Sequence, residues 1–510
     1  MKKYLWTIAA IAAIVVSGCQ QKEDEPVDET PAVLTSFKIL AADNEGLKED
    51  YAPASISESM VIRIPGGGQG KTLVATVSAG ENDVIKVNDA EVTDGKASFD
   101  ATYAVDIVVT NTKSKKSAQY EVKIGKILQI TSKKLCSFES TETLSIKDTY
   151  YKANVNPATG EMYLAYCFVP EGGVRTIAVG KFSNGQFVNV GTPGIVPAPT
   201  DGSAAVAVSN LSALEFDKDG APYVLYIGGD VKNTFTLRKF DGSAWVPVGP
   251  TGFATKPGTT YSTPSLYFDA NGNPGITYQN SSRGSAHIYL DNGEWKDGAI
   301  NGLPPYVKNG GDRSSNQGIY YYGAHIDIGA KHYGVFSLNY YGLYVYELKG
   351  YEWANPIISD YIPVDEPYAL PGNLSLAEKD GKLLIFTALN NVKAMQIYEF
   401  DGSALIAYGA SFSIGVSSSG GVDAARFGVN PQTGEIFAVK TDADKKLYYS
   451  IMNADKNWEE FTAIADAPAT SVGLGFGFDK SGNALVVYPN ANDKGYELYS
   501  IGLEDDVLPE

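Results

Sequence analysis

The chain of 510 residues contains few of the residues that most often carry metal and redox chemistry, with three cysteines and three histidines. The histidines, at positions 287, 325 and 332, are too few and too unevenly spaced for a metal site that recurs along the chain. His325 and His332 flank one turn, where we expect a partly exposed role at strand ends. No HExxH sequence, G-x-S-x-G elbow or reactive-cysteine signature is present. We therefore predict neither a metal nor a cofactor.

Positive charge is also scarce, since 41 Lys and Arg against 59 Asp and Glu give a formal net charge of −18. A surface that binds phosphates needs clustered Lys and Arg, so we predict no nucleic-acid partner. No long stretch beyond residue 20 keeps the 3.6-residue apolar period of a helix. Instead, 53 glycines, 33 tyrosines and many turn dipeptides favour an all-β protein.

The N-terminus has the pattern of an export signal. Met1-Lys2-Lys3 is basic, residues 4–16 are apolar but too short for a comfortable membrane span, and Val16-Ser17-Gly18-Cys19 follows. This pattern resembles a bacterial lipoprotein precursor, which implies a signal peptide at 1–18, cleavage before Cys19 and acylation of that cysteine. The alternative is a secretory signal with a coincidental cysteine.

The segment 19–32 is a Pro- and acid-rich tether with no core-forming pattern. Within it, Lys22 followed by Glu23-Asp24-Glu25 resembles the export signal of Bacteroidota-type surface lipoproteins. That resemblance implies display on the outside of the outer membrane. The other interpretation is a solvated tether without a targeting role.

Residues 33–126 alternate apolar and polar residues in seven short runs, as in an immunoglobulin-like (Ig-like) β-sandwich. The runs are 35–40, 59–64, 72–77, 84–87, 96–99, 104–110 and 119–124. The segments 36–39, 62–65 and 120–124 are similar to the N-terminal Ig-like modules of Bacteroidota surface lipoproteins. This similarity implies a spacer and no chemistry of its own.

A repeat of roughly 50 residues occupies the remainder of the chain. Each copy has four strand-like runs and an Asp- or Asn-rich turn that ends in glycine, such as Asp217-Lys-Asp-Gly220 and Asn430-Pro-Gln-Thr-Gly434. A second turn follows, often with a tryptophan after it, at 245, 295, 353 and 458. Seven copies predict a seven-bladed β-propeller over 127–510, because one small sheet must stack on its neighbours to bury both faces.

The seventh copy supplies only three strands, which would leave an unpaired edge. The strand-like segment 127–138 precedes the first copy and belongs to no repeat. We predict that it completes the last blade. Cys136 and Cys167 would then lie in neighbouring blades, either joined by a disulfide or, as we favour, as two separately buried thiols.

In such a blade, short regular turns occupy one rim and long irregular loops the other, where function is usually carried. The longest crossover, 298–323, and the loops near it are rich in Tyr and Arg, a combination that suits carbohydrate. The predicted contact residues are Arg283, Tyr306, Arg313, Tyr321, Tyr340 and Tyr341. The alternative is that Tyr320–Tyr322 begin an inner strand and pack between blades.

The whole pattern resembles the surface glycan-binding lipoproteins of Bacteroidota. It implies non-catalytic binding of an extracellular glycan by a protein anchored in the membrane through Cys19. One rival is a glycan-active hydrolase or lyase that uses carboxylates in the axial pocket of the propeller. Another is a protein-interaction platform within a surface complex. We favour binding over catalysis.

Overall fold

The structure is a computed structural model. It describes residues 28–145, 150–196, 204–253, 264–280, 284–301, 321–338, 342–354, 356–360, 374–389, 394–414, 425–442, 444, 446–464, 474–490, 494–504 and 508–509. These residues belong to two compact units, one within Met1–Gln129 and Glu504–Glu510 and the other within Ile130–Leu503. We call them the sandwich unit and the ring unit. Within the described ranges, no helix has the length and hydropathy needed to cross a bilayer.

The sandwich unit consists of two sheets that share one core. A three-stranded sheet has the order β1-β3-β6, and a five-stranded sheet has the order β2-β8-β7-β4-β5. The strands are β1 (Leu34–Lys38), β2 (Ser59–Ile64), β3 (Thr72–Ala79), β4 (Asp83–Val87), β5 (Ala90–Glu91), β6 (Lys96–Asp100), β7 (Val105–Asn111) and β8 (Ser117–Lys126), with a 3₁₀ helix at Ala41–Asp43. All seven predicted runs form strands, and β5 is an addition.

The strict alternation of buried apolar and exposed residues explains why these segments form a sandwich. In β2, Met60, Ile62 and Ile64 are buried, and they meet Phe37 and Val77 of the other sheet in one apolar cluster. Residues two apart on a strand point to the same face, so each strand contributes one apolar face to the shared core. The β2 and β8 pair is parallel, whereas the other pairs in the unit are antiparallel.

The ring unit begins with β9 (Ile130–Glu139) and continues through seven successive sheets in the described part of the chain. Sheet 1 contains β10 (Thr143–Leu144), β11 (Tyr151–Val155), β12 (Met162–Val169), β13 (Thr176–Ser183) and β14 (Gln186–Asn189); sheet 2 contains β15 (Val208–Phe216), β16 (Pro222–Gly228), β17 (Val231–Phe240) and β18 (Trp245–Pro247). Sheet 3 contains β19 (Ser265–Phe268), β20 (Pro274–Asn280), β21 (Gly284–Asp291) and β22 (Glu294–Gly298); sheet 4 contains β23 (Tyr321–Ile328), β24 (Lys331–Leu338), β25 (Gly342–Lys349), β26 (Glu352–Trp353) and β27 (Ile358–Asp360). Sheet 5 contains β28 (Ser375–Lys379), β29 (Lys382–Leu389), β30 (Ala394–Phe400), β31 (Leu405–Ala407) and β32 (Phe412–Ser413); sheet 6 contains β33 (Ala425–Val429), β34 (Ile436–Thr441), β35 (Leu447–Ile451) and β36 (Thr462–Ala463). Sheet 7 contains β37 (Gly475–Phe478), β38 (Ala484–Pro489), β39 (Gly495–Leu503) and β9.

The sheets follow one another in a closed cycle. The inner strands β11, β15, β19, β23, β28 and β33 each contact the inner strand of the next sheet, and β37 contacts both β33 and β11. Neighbouring sheets therefore pack face to face around a common axis that the inner strands surround. This is the architecture of a β-propeller.

Sheet 7 takes its outer strand from upstream of sheet 1. Strand β39 pairs antiparallel with β9, from Gly495 opposite Glu139 to Leu503 opposite Ile130. The segment 127–138 predicted to close the ring overlaps this strand from Ile130 onward. At Gly495 a side chain would collide with the Phe138 carbonyl, so the close approach of the two backbones requires glycine.

The glycine-terminated turns are hairpin turns that also join neighbouring sheets. The Asp217 side chain accepts hydrogen bonds from the backbone N–H groups of Asp219 and Ala221, and Gly220 has a φ of +81°. The side-chain amide of Asn156, in the corresponding turn of sheet 1, donates to the Gly220 carbonyl at 2.9 Å. Asn430 donates in the same way to the Gly482 carbonyl at 2.8 Å.

The two remaining cysteines are free and buried. Cys136 lies in β9 and Cys167 in β12, in separate apolar clusters, so the prediction of two buried thiols is confirmed. Burial raises the pKa of Cys167 to about 12 and also raises the pKa of Cys136. Both thiols are therefore protonated and unreactive near neutral pH.

Two of the repeated tryptophans hold outer strands to the preceding sheet. The indole N–H of Trp245 donates to the Val190 carbonyl, and that of Trp458 donates to the Ala410 carbonyl, both at 2.8 Å. The indole N–H of Trp295 is buried and has no partner in the part of the chain that the structure describes. The same residue type at the same place in the repeat thus has two different hydrogen-bonding states.

Trp458 and Trp295 allow a matched test of the indole hydrogen bond to the preceding sheet. We expect Trp458→Phe to lower the free energy of unfolding by about 1–2 kcal/mol more than Trp295→Phe, because only the former removes a hydrogen bond and leaves a carbonyl unpaired. Equilibrium denaturation of both variants measures the difference. Equal losses would show that the indole hydrogen bond contributes nothing.

Candidate ligand-binding cavity

The predicted ligand face lies almost entirely outside the described residues. Arg283, Tyr306, Arg313, Tyr340 and Tyr341 are not described, and neither is Cys19. Tyr321 is the first residue of β23 and pairs with Leu338 of β24. Its position at the start of an inner strand agrees, for Tyr321 and Tyr322, with the alternative that tyrosines begin that strand. The grouping of the six residues therefore stays a prediction.

The described inner strands enclose a different candidate site, a cavity of about 720 Å³. Strands β11, β15, β19 and β23 supply most of its wall, and Leu374 and Arg426 add contacts from sheets 5 and 6. Ligand pockets in proteins typically measure about 300–1,000 Å³ and combine apolar walls with a few polar groups. The polar and charged side chains of this wall are Lys152, Asn154, Ser212, Glu215, Asp217, Lys218, Ser265, Tyr267, Asp269, His325, Asp327, His332 and Arg426.

The repeat fixes which residues reach this cavity. Counting back from the first residue of each glycine-terminated turn, the position four residues earlier holds Lys152 in sheet 1 and Arg426 in sheet 6. The position two residues earlier holds Asn154, Glu215 and Tyr267 in sheets 1 to 3. Residues two apart share one face of a strand, so both positions line the cavity.

The sequence did not predict these residues because the motifs that define the repeat are its turns, which begin two or four positions later. Aligning the copies on their turn residues would have shown Asn154 and Glu215 where sheets 5, 6 and 7 have Leu376, Gly428 and Gly477. A polar pair at a position that is small or apolar in sheets 5 to 7 is the signal that could have found the cavity.

Asn154 and Glu215 form the best-defined polar contact of the cavity wall. The Asn154 side-chain amide donates to Glu215 Oε2 at 2.9 Å and to the Leu214 carbonyl at 3.3 Å, which links β11 to β15. Glu215 keeps some exposure towards the cavity but lies deep within it. Burial raises its pKa to about 8, and the hydrogen bond from Asn154 offsets only part of that rise. Glu215 is therefore mainly protonated at neutral pH.

The neighbouring aspartates are engaged by the scaffold. Burial favours protonation of Asp217, but hydrogen bonds from Lys239 and the turn amides outweigh it and lower the pKa of Asp217 below its ordinary value. Asp269 accepts two backbone N–H bonds of its own turn and a third bond from the Asn273 amide. Both carboxylates thus stabilise turns at the end of the cavity.

Aromatic rings line the same wall. Phe216 follows Glu215, and Phe268 stands at the corresponding position of sheet 3. Each ring packs against a tyrosine of the preceding sheet, Phe216 at 5.0 Å from Tyr163 and Phe268 at 4.8 Å from Tyr223, measured between centroids. Rings held by such edge-to-face contacts present rigid apolar surfaces.

All three histidines of the chain converge between sheets 3 and 4, which the sequence did not predict. Their rings surround Tyr267, at centroid distances of 5.9 Å for His287, 4.8 Å for His325 and 4.9 Å for His332, and Trp353 lies 5.5 Å from the same tyrosine. His325 and His332 are partly exposed, as expected, and His332 lies at the start of β24, whereas His325 lies in the middle of β23. We call these five residues the histidine cluster.

Each histidine has one hydrogen-bond partner. His287 Nε2 bonds the Tyr267 hydroxyl at 2.7 Å, His325 Nε2 bonds the Thr277 hydroxyl at 2.9 Å, and His332 Nδ1 pairs with Asp327 at 2.6 Å. The other ring nitrogen of each is buried and has no partner among the described residues. Burial lowers the pKa of His287 to about 4 and holds the pKa of His325 well below its ordinary value. These two rings are therefore neutral at neutral pH.

The cluster is not arranged as a metal centre. Over the ranges that the structure describes, no group of three or more His, Cys, Asp or Glu side chains is placed to hold a metal ion. What the arrangement provides is a cavity whose wall contains both hydrogen-bonding groups and aromatic rings.

Comparisons with known proteins reveal no family. No protein-family model and no curated protein matches the chain. Among solved structures, it is similar to AofleA from Arthrobotrys oligospora, with 14% identity, coverage of 66% of this chain and 90% of that one, and a TM-score of 0.40.

Two further structures show a comparable likeness. A fungal lectin from Aleuria aurantia, described as a six-bladed β-propeller with a novel fucose recognition mode, has 13% identity, coverage of 72% and 97%, and a TM-score of 0.39. The dihydro-heme d1 dehydrogenase NirN has 11% identity, coverage of 83% and 74%, and a TM-score of 0.41. Similarity at this level carries no argument about what this chain binds.

The buried histidines predict a stability that depends on pH. Because the pKa of His287 falls from 6.5 in the unfolded chain to about 4 in the fold, its contribution is complete above about pH 6.5 and is lost as the pH falls towards 4. Between pH ~6.5 and ~4, the free energy of unfolding of wild type should fall by up to about 3 kcal/mol more than that of His287→Gln. The glutamine amide can still bond Tyr267 but does not titrate. Urea denaturation at stepped pH measures this, and parallel curves would contradict it.

Proposed function

We propose that this chain is a lipid-anchored protein of the outer-membrane surface that binds an extracellular glycan without turning it over. In this proposal, the ring unit is a seven-bladed β-propeller and the sandwich unit is an Ig-like spacer. The N-terminal pattern that ends in Cys19 and the acidic segment behind it support the location. Proteins of a surface complex are potential further partners.

The observation that carries the binding proposal is the axial cavity. It has the volume of a small-ligand site, and its wall combines the rings of Phe216 and Phe268 with the Asn154–Glu215 pair. Sugar rings present C–H faces that stack on aromatic rings, and hydroxyl groups that need donors and acceptors nearby. The cavity offers both kinds of contact within one space.

The state of the carboxylates favours binding over hydrolysis. A glycosidase needs two carboxyl groups that flank the scissile bond, one as acid and one as nucleophile or base. Glu215, with its raised pKa, has the protonation state of a general acid. Asp217 and Asp269, however, use their oxygens to hold Lys239 and the turns, and Asp327 pairs with His332.

The rival enzyme remains testable through Glu215. A hydrolase or lyase would release new reducing ends or unsaturated products from a bound polysaccharide, and Glu215→Gln would lower that rate by at least about 100-fold. We expect no product from wild type over a prolonged incubation. Accumulation of product by wild type and its loss in the variant would replace binding with catalysis.

Glycan-array binding tests the function directly. We expect wild type to retain defined glycans, and Asn154→Ala to weaken that binding by about tenfold or more, because it removes a cavity donor and leaves Glu215 without its partner. Asn189→Ala is the matched control, since Asn189 is exposed on the outer strand β14 of the same sheet.

The loop-rich face can be examined in the same experiment. If Tyr321→Ala or Tyr340→Ala abolishes binding while Asn154→Ala does not, the ligand occupies the loop face predicted from the sequence rather than the cavity. If wild type binds no glycan on the array, the proposed function is wrong.

The lipid anchor has its own test. Cys19→Ser should remove incorporation of a labelled fatty acid and release the protein from the membrane fraction, because acyl chains supply the membrane affinity. A protease added to intact cells that express wild type should digest the protein, because the protein is displayed at the surface. Unchanged fatty-acid labelling in the variant, or protection from the protease, would contradict anchoring at Cys19 or display at the surface, respectively.

A further inference from the structure

We propose that Glu215 is the specificity-determining residue of the axial cavity and that it acts in its protonated form, donating a hydrogen bond from its free oxygen to an acceptor oxygen of the saccharide. This inference rests on the proposed function and adds to it the atom that selects the ligand. It also makes binding depend on a proton held by the protein.

The geometry leaves one oxygen of Glu215 directed to a ligand. Oε2 accepts the Asn154 amide at 2.9 Å, and Oε1 has no hydrogen-bond partner among the described residues. Because Asn154 also holds the Leu214 carbonyl, the carboxyl group is fixed between two inner strands. A group oriented in this way before the ligand arrives loses little conformational entropy on binding.

The surroundings of Glu215 favour the acid form without help from a charged neighbour. The groups that share the cavity are Lys152 on β11, Asp217 and Lys218 after β15, Tyr267 on β19, Asp269 after β19, His325 and Asp327 on β23, His332 on β24 and Arg426 on β33, and Tyr223 of β16 lies opposite Glu215 in the sheet. Burial raises the pKa of Glu215, and the Asn154 hydrogen bond lowers it slightly. The neutral carboxyl is therefore both a donor and an acceptor in the wall of the cavity.

This chemistry requires an oxygen in the ligand that accepts a hydrogen bond and cannot donate one. A protonated carboxyl donates to the ring or glycosidic oxygen of a saccharide, which carries no hydrogen to donate in return. Once ionised, the same group is only an acceptor, and it repels any lone pair that it previously bound. Raising the pH past the pKa of Glu215 should therefore remove the contact, and Glu215→Gln should retain it at every pH because an amide N–H replaces the acid O–H.

Calorimetric titration with the methyl glycosides of L-fucose, D-galactose, D-glucose and D-mannose tests the inference. For the glycosides that bind, we expect wild-type affinity to fall by about 30-fold between pH ~6.5 and ~9.5, as the protonated fraction falls. The affinity of Glu215→Gln should change by no more than about twofold between the two pH values. Glu91→Gln, an exposed residue on β5 of the sandwich unit, is the matched control and should behave as wild type.

The outcomes separate the two proposals. Binding by wild type with equal affinity at both pH values, or the same loss in Glu215→Gln as in wild type, overturns the role of Glu215 and leaves glycan binding intact. Binding of no glycoside by wild type at either pH overturns both.

A second measurement requires no ligand. The side-chain carboxyl carbon of Glu215, assigned by its absence from the ¹³C NMR spectrum of Glu215→Gln, should titrate near pH 8. Titration near the ordinary value of 4.5 would show an ionised group at neutral pH and overturn the inference.

Discussion

The ring unit depends on the antiparallel pairing of β9 with β39. Every other outer strand of the cycle follows its own sheet in the chain, whereas this pair joins residues 130–139 to residues 495–503. A strand edge left open at β39 would expose unpaired backbone groups, each of which contributes about 0.5–1.5 kcal/mol when it is bonded within a sheet. The ion pair of Lys134 with Glu497 and the packing of Leu498 with Cys136 and Tyr166 add side-chain contacts to the same seam.

The closed cycle explains why a cavity exists at its axis. Inner strands from neighbouring sheets hold one another at a fixed separation, so their axial side chains cannot collapse together. Most of the polar side chains there are tied to the scaffold, as with Asp217 and Lys239. The cost of burying Glu215 appears instead as a raised pKa, because burial removes the water that would stabilise the ionised carboxylate, so the neutral acid is favoured.

The sequence predicted most of the fold because repetition averages out local ambiguity. One hairpin turn is weak evidence, but the same turn in successive copies sets both the strand order and the missing edge of the last sheet. The histidine cluster could not be predicted in this way. His287 comes from sheet 3 and His325 and His332 from sheet 4, and only the packing of the two sheets places all three around Tyr267.

The ligand residues were predicted on the long loops, since those are usually functional, and five of the six lie outside the described residues. Glu215 was missed for a physical reason. A carboxyl on a strand normally faces solvent, and nothing within the second repeat alone shows that position 215 faces the cavity. Only the comparison of equivalent positions between repeats reveals it, together with its partner Asn154.

Hydrogen exchange measured residue by residue tests the closure of the ring most directly. If β9 is an integral strand of sheet 7, its amides bonded to β39 should open with a free energy within about 1 kcal/mol of those in the central strand β38. Exchange of the amides in 130–139 at a free energy several kcal/mol lower, with β38 still protected, would show that the ring is not held closed by this strand.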